Sequence, residues 1–167
     1  MDIIKISADF LQQLSSKANL STRGRQHWNL HQSYDEACQK LFNAINVDSY
    51  IRPHRHSGHG KDECMIAVRG LLTLVLFDEH GKIRDTVPFG AQGARTATGT
   101  EPEAGVQIPP GMWHTVIANH PNSILFEVKA GPFDPSSPKE FASWAPEEAS
   151  DDAVGYLNKL KERCNAA

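Results

Sequence analysis

Two histidines one residue apart, His54-Arg55-His56, lie in a stretch with strand character. Successive side chains on a strand alternate between faces, so both rings project the same way, about 6.7 Å apart along the chain. Two imidazoles so placed can hold one ion. Glu63 follows a short glycine-containing turn at the head of the next expected strand, where its carboxylate can reach back to the same point. His114 comes behind the tight turn Pro109-Pro110-Gly111, its ring expected to face inward. Three imidazoles and one carboxylate suit one divalent transition metal, Zn, Fe(II), Mn or Ni. At six-coordination two positions stay open for water or a small-molecule ligand. A lone His-x-His is expected by chance roughly 0.4 times in a chain of this composition, so the pair alone says little. Requiring Glu63 seven residues on and Gly70 seven further lowers the expectation to on the order of 0.002. The weight therefore rests on the combination.

Other residues can surround such an ion. Tyr50 and Arg52 share the face of His54 and His56 if that strand points its histidines inward. Arg52 then needs an anionic partner, either an internal carboxylate such as Glu127 or a ligand. Glu127, Tyr50 and His31 are the candidate proton-transfer groups, and Arg52, Arg25 and Trp113 the candidate substrate-binding ones. Lys129 shares a strand face with Glu127 and is expected at the surface, because lysines are seldom buried unpaired. Arg23, Arg25, His27 and His31 belong to an N-terminal segment able to fold over the site or complete that of a partner subunit, whereas His59, His80 and His120 lie in turns. With a Lewis-acid metal this set fits isomerase or epimerase chemistry on a small polar molecule such as a sugar derivative. An Fe(II) oxygenase or a non-catalytic binding or sensor module would use the same ligands.

The elements that must position these groups are short. Ser7 caps a helix of about three turns carrying Phe10, Leu11 and Leu14. Residues 23–34 lack a clean period and read as a loop or arm, and 35–45 as a turn of helix followed by a strand. Seven short strands follow, Ser49 to His56, Glu63 to Val68, Leu71 to Phe77, Ile83 to Val87, Val106 to Ile108, Trp113 to Ala118 and Ser123 to Ala130, separated by turns that include Ser57-Gly58-His59-Gly60. Residues 91–105 read as a surface loop, and a final helix begins near Asp152. Strands without intervening helices mean an antiparallel sandwich or barrel. The 167 residues make one domain, divided as helix and arm (1–34), β body (35–134) and C-terminal extension (135–167). A net charge of -3 offers no broad attraction for nucleic acid or anionic lipid, and no apolar run approaches the roughly 20 residues of a membrane span. Three scattered cysteines with no Cys-x-x-Cys pair, and no signal-like N-terminus, point to a cytoplasmic protein.

His54-x-His56, Glu63 and Gly70 resemble the first cupin motif, and Pro109-x-Gly111-x-x-His114 the second. More narrowly, Tyr50-Ile-Arg-Pro-His-Arg-His56, Ile108-Pro-Pro-Gly-Met-Trp-His-Thr115, Phe126-Glu-Val-Lys-Ala-Gly-Pro-Phe-Asp134 and Trp144-Ala-Pro146 resemble the WbuC-type cupin metalloproteins, over about Arg23 to Pro146. The resemblance implies a mainly β fold, a double-stranded β-helix or jelly-roll barrel with short terminal helices, enclosing one metal. It also implies a homodimer joined through edge strands, and members often encoded among polysaccharide biosynthesis genes. Two departures stand out. Six residues rather than three or four separate His56 from Glu63, which keeps Asp62 open as the carboxylate ligand, and the asparagine expected four residues after His114 is displaced to Asn119.

Overall fold

The computed structural model describes residues 3–56, 61–133 and 139–165. The expected turn at Ser57–Gly60 lies outside them. Twelve elements follow in order: α1 (Ala8–Leu20), β1 (Arg25–Asn29), β2 (Cys38–Ile45), β3 (His54–Arg55), β4 (Glu63–Arg69), β5 (Leu71–Phe77), β6 (Ile83–Gly90), β7 (Gly105–Ile108), β8 (Trp113–Ala118), β9 (Ser123–Ala130), β10 (Glu140–Phe141) and α2 (Asp152–Asn165). They build two five-stranded sheets, ordered β1-β2-β9-β4-β7 and β10-β3-β8-β5-β6. Every ladder pairing between named strands is antiparallel.

The expected closed jelly-roll barrel is not what forms. Among the described residues no ladder joins the two sheets, which end on β1 and β7 in one and on β10 and β6 in the other; a single bridge, Phe89 to Glu103, links β6 to the segment ahead of β7. The reason lies partly in residues 49–53, expected as strand but extended without a ladder. Pro53 has no N–H to donate, and its carbonyl accepts from Ala142 N. Ile51 O accepts from Thr115 Oγ1 at 2.6 Å, Tyr50 O from Arg25 Nη1 at 3.0 Å, and Arg52 N donates to Glu148 Oε1 at 3.3 Å. These contacts satisfy the backbone that a closing strand would have offered to a neighbour.

The N-terminal region differs too. The arm is strand β1, paired with β2 from Arg25↔Ile45 to Asn29↔Leu41. No helical turn precedes β2. Glu36 Oε1 accepts from Gln32 N at 2.6 Å and from Ser33 N at 3.3 Å, closing a turn instead. Helix α1 is capped as expected, Ser7 Oγ accepting from Phe10 N at 3.1 Å.

Each helix covers one outer face. Leu14 and Ala18 of α1 pack on Phe42, Ala44 and Ile124. Ala153, Leu157 and Leu160 of α2 pack with Val75, Phe77 and Ile117. Strands β2, β5 and β8 are therefore buried along most of their length on both faces. Between the sheets, Leu72, Leu74, Phe89, Val116 and Leu125 form the central core, each burial stabilising by about 1.5–3 kcal/mol. Gly70 makes the β4–β5 turn with φ +74°; a Cβ there would sit 2.3 Å from Ser123 Oγ, so glycine is required.

Candidate metal centre

Sheet pairing brings the histidines together. His54 of β3 is directly opposite His114 of β8, with ring centroids 4.5 Å apart. His56, just past β3, brings its ring to 5.4 Å from His54 and 5.8 Å from His114. Gly111, left-handed at φ +77°, turns the chain into β8 and donates its N–H to His56 O at 3.2 Å, tying the second motif to the first. One nitrogen from each of the three rings lies within 4.8 Å of the other two.

The ring orientations suit a cation. His54 Nδ1 is 3.0 Å from Arg52 O, and His114 Nδ1 is 2.9 Å from Met112 O. A carbonyl only accepts, so both Nδ1 atoms carry protons and both Nε2 atoms present lone pairs. Burial, then the Lys139 and His114 charges, pushes the His54 imidazole well below its usual pKa. Burial lowers that of His56 as well. Glu63 Oε2 lies 3.2 Å from His56 Nε2 and 3.3 Å from His114 Nε2. Burial alone would raise its carboxyl, but His114 and His56 beside it, with Lys129, hold it well below the carboxylate range. Despite the short distances, His56 Nε2 and Glu63 Oε2 have no hydrogen-bond partner among the described residues. Buried acceptors left facing one point fit a metal ion, which would satisfy them together.

A cavity of about 870 Å³ opens from this cluster between the sheets. Glu127 and Lys129 reach it from β9. Lys129 Nζ sits 2.5 Å from Glu127 Oε1 and 3.8 Å from Glu63 Oε1, so the lysine expected at the surface is half-buried and paired. Burial, then the charge of Glu63, raises the Glu127 carboxyl. Lys139, an exposed residue just ahead of β10, places its Nζ 3.2 Å from His54 Nε2.

Arg25, His31 and Arg52 also line the cavity. The partner of Arg52 is not Glu127: it donates to Ala142 O at 2.9 and 3.2 Å and lies 3.8 Å from Glu147. Arg25 is ion-paired with Glu148. Tyr50 and Trp113, expected at the site, lie outside the cavity lining. The Tyr50 hydroxyl donates to Pro146 O at 3.0 Å, and Trp113 Nε1 donates to Glu79 Oε2 at 3.0 Å beneath the Arg55 guanidinium. Asp62, the alternative carboxylate, accepts from Gln107.

Sequence reasoning missed Lys139 and Asn43. Lys139 carries no local signal. Asn43 had one, because Leu41 and Ile45 flank it at period two and mark its face as inward.

Residues 6–89, half the chain, match the family described as a domain of unknown function, DUF6016. The chain belongs to that family. No curated protein matches the sequence of this DUF6016 chain. Protein SO0799 from Shewanella oneidensis has a similar structure, with a TM-score of 0.54 at 12% identity over 87% of each chain. The polyketide cyclase RemF from Streptomyces resistomycificus is similar at TM-score 0.51 and 20% identity, over 80% of this chain and 78% of its own. A cupin 2 domain-containing protein from Halorhodospira halophila gives 0.48 and 16%, over 81% and 77%. The likeness to SO0799 and RemF is one of fold. No helix among the described residues is long and apolar enough to cross a membrane.

Proposed function

We propose that this protein is a metal-dependent enzyme of isomerase or epimerase type acting on a small polar molecule such as a sugar derivative. The observation that carries the reading is the set of three imidazoles and Glu63, with buried unpartnered acceptors, at the end of a cavity that also holds the Glu127–Lys129 pair. His54, His56, His114 and Glu63 would hold the ion, whose contribution is Lewis-acid stabilisation of charge developing on a carbonyl oxygen. Glu127 is suited to moving a proton at an adjacent carbon. Its raised pKa brings its two protonation states closer to neutral pH, and Lys129 steadies the carboxylate form. His31, whose Nε2 has no partner among the described residues, is a second proton-transfer candidate. Arg52 and Arg25 hold the 147–148 segment that walls the cavity, and would steer an anionic substituent. The motif resemblance to WbuC-type cupins supports a place in polysaccharide biosynthesis and a homodimeric assembly.

The test is solvent deuterium incorporation into a panel of aldoses and ketoses, using protein loaded separately with Zn, Fe(II), Mn or Ni. Incorporation should require metal, vanish in His56→Ala, and fall in Glu127→Gln with metal still bound. Exchange that survives removal of the metal would sink the proposal. Dioxygen consumption confined to the Fe(II) form would reassign the protein as an oxygenase, and ligand binding without exchange as a binding module.

A further inference from the structure

Strand β1 adds an inward-facing ledge to the sheet that carries Glu63. His27 lies opposite Asn43 of β2 in register, and Arg25 follows two residues away on the same face, opposite Ile45. Asn43 in turn lies opposite Leu125 of β9. Along β9 the inward positions run Leu125, Glu127, Lys129, and Lys129 pairs in register with Glu63. The ledge is therefore on the far side of Glu127 from Glu63, roughly 16–20 Å from it between backbones by strand spacing and rise.

Two features of the ledge ask for a ligand. Asn43 is 6% exposed, and its Oδ1 has no hydrogen-bond partner among the described residues. A buried amide oxygen left unpaired is costly, and a ligand hydroxyl would satisfy it. The cations of the lining also outnumber their partners. Glu148 takes Arg25, Glu147 takes Arg52, and Glu127 with Glu63 takes Lys129. Arg23 and Lys139 are left with no carboxylate within salt-bridge distance among the described residues, and both line the cavity. Arg23 directly precedes β1, and the Lys139 ammonium, 3.2 Å from His54 Nε2, faces the ledge across the cavity; burial, then the charges of Lys139, Arg25 and Arg23, depresses the His27 imidazole to about 4.

We propose that His27, Asn43 and Arg23, with Lys139 facing them, form an anion subsite whose ligand is a hydroxylated small molecule bearing a carboxylate or phosphate. The anion meets Arg23 and Lys139, and a neighbouring hydroxyl donates to Asn43 Oδ1. This names the substrate class of the site proposed above and rests on reading that cavity as a ligand site, but not on the metal.

Calorimetric titration with glucuronate, glucose 6-phosphate and uncharged glucose tests it, in the wild type and in a His54→Ala/His114→Ala variant that removes two metal ligands. One or both anions should bind at least about tenfold more tightly than glucose, the loss expected without one charge-assisted hydrogen bond. Which anion prevails identifies carboxylate or phosphate. Arg23→Ala, at an exposed position, should abolish the preference. Asn43→Leu, matched in size and checked for folding by its melting curve, should bring glucuronate down to the affinity of cyclohexanecarboxylate, which lacks hydroxyls. Equal binding of glucose and both anions, or variants that leave the preference unchanged, would overturn the subsite. Anion preference in a wild type that takes up no metal would uphold the subsite while refuting the metal-enzyme reading. Metal uptake without anion preference would do the reverse.

Discussion

Lys139→Met should tighten metal binding. The Lys139 ammonium lies 3.2 Å from His54 Nε2, the lone pair that a metal must use. Binding the ion therefore requires breaking that hydrogen bond and moving a cation away from a dication. A hydrogen bond involving a charged group contributes about 1.5–3 kcal/mol. At about 1.4 kcal/mol per decade, its removal should raise affinity roughly 10–100-fold. Methionine keeps most of the aliphatic stem, so packing changes little, and Lys139 is an exposed residue, which limits any effect on folding. Competition against a fluorescent chelator for Zn or Mn, at one pH with wild type and variant side by side, reads the change directly. An affinity that is unchanged or weaker in Lys139→Met would refute the argument, because it would mean that the ammonium does not compete for His54.

Glu63→Gln should lower metal affinity by at least about tenfold, since the carboxylate charge is lost where two Nε2 atoms converge, and the same competition assay reads it. Gly70→Ala should cost about 2–4 kcal/mol in chemical denaturation, because the new Cβ meets Ser123 Oγ at 2.3 Å in a left-handed conformation; an unchanged midpoint would contradict the turn geometry. Leu14→Ala should destabilise by about 2–5 kcal/mol by emptying the α1 contact with Phe42 and Ile124. Metal-free protein should lose stability as pH falls below the ordinary imidazole value of 6.5. The unfolded chain then takes up a proton that buried His54 resists, at about 1.4 kcal/mol per pH unit. Replacing His54 with Phe should flatten that dependence between pH 7.5 and 5.5 in denaturation curves.

Much of the centre was legible because metal chemistry is written in residue type and short spacing. His54 and His56 share a face by strand periodicity, and Gly111 marks the turn that delivers His114. Strands β5, β8 and β9 were legible with their bounds because glycine, proline and asparagine punctuate β-branched runs. Residues 23–34 were not, since β1 has no clean alternation: its inner face carries Arg25, His27 and Asn29, which became a cavity wall rather than a core. The short β10 was equally silent, being a two-residue strand whose partner in β3 is distant in sequence.

By itself, then, the sequence determined a mainly β chain with two terminal helices, the first capped by Ser7, and a three-histidine cluster with one nearby carboxylate, because periodicity, turn chemistry and ligand type are local properties. The tertiary structure alone decided that the two sheets stay open, that Tyr50 and Trp113 turn away from the cavity, that Lys129 pairs inside it, and that Lys139 and Asn43 join it. Each of those outcomes depends on which distant group satisfies a backbone carbonyl, a buried charge or an amide. Such partners, from Pro146 for Tyr50 to His54 for Lys139, meet only when the chain has folded.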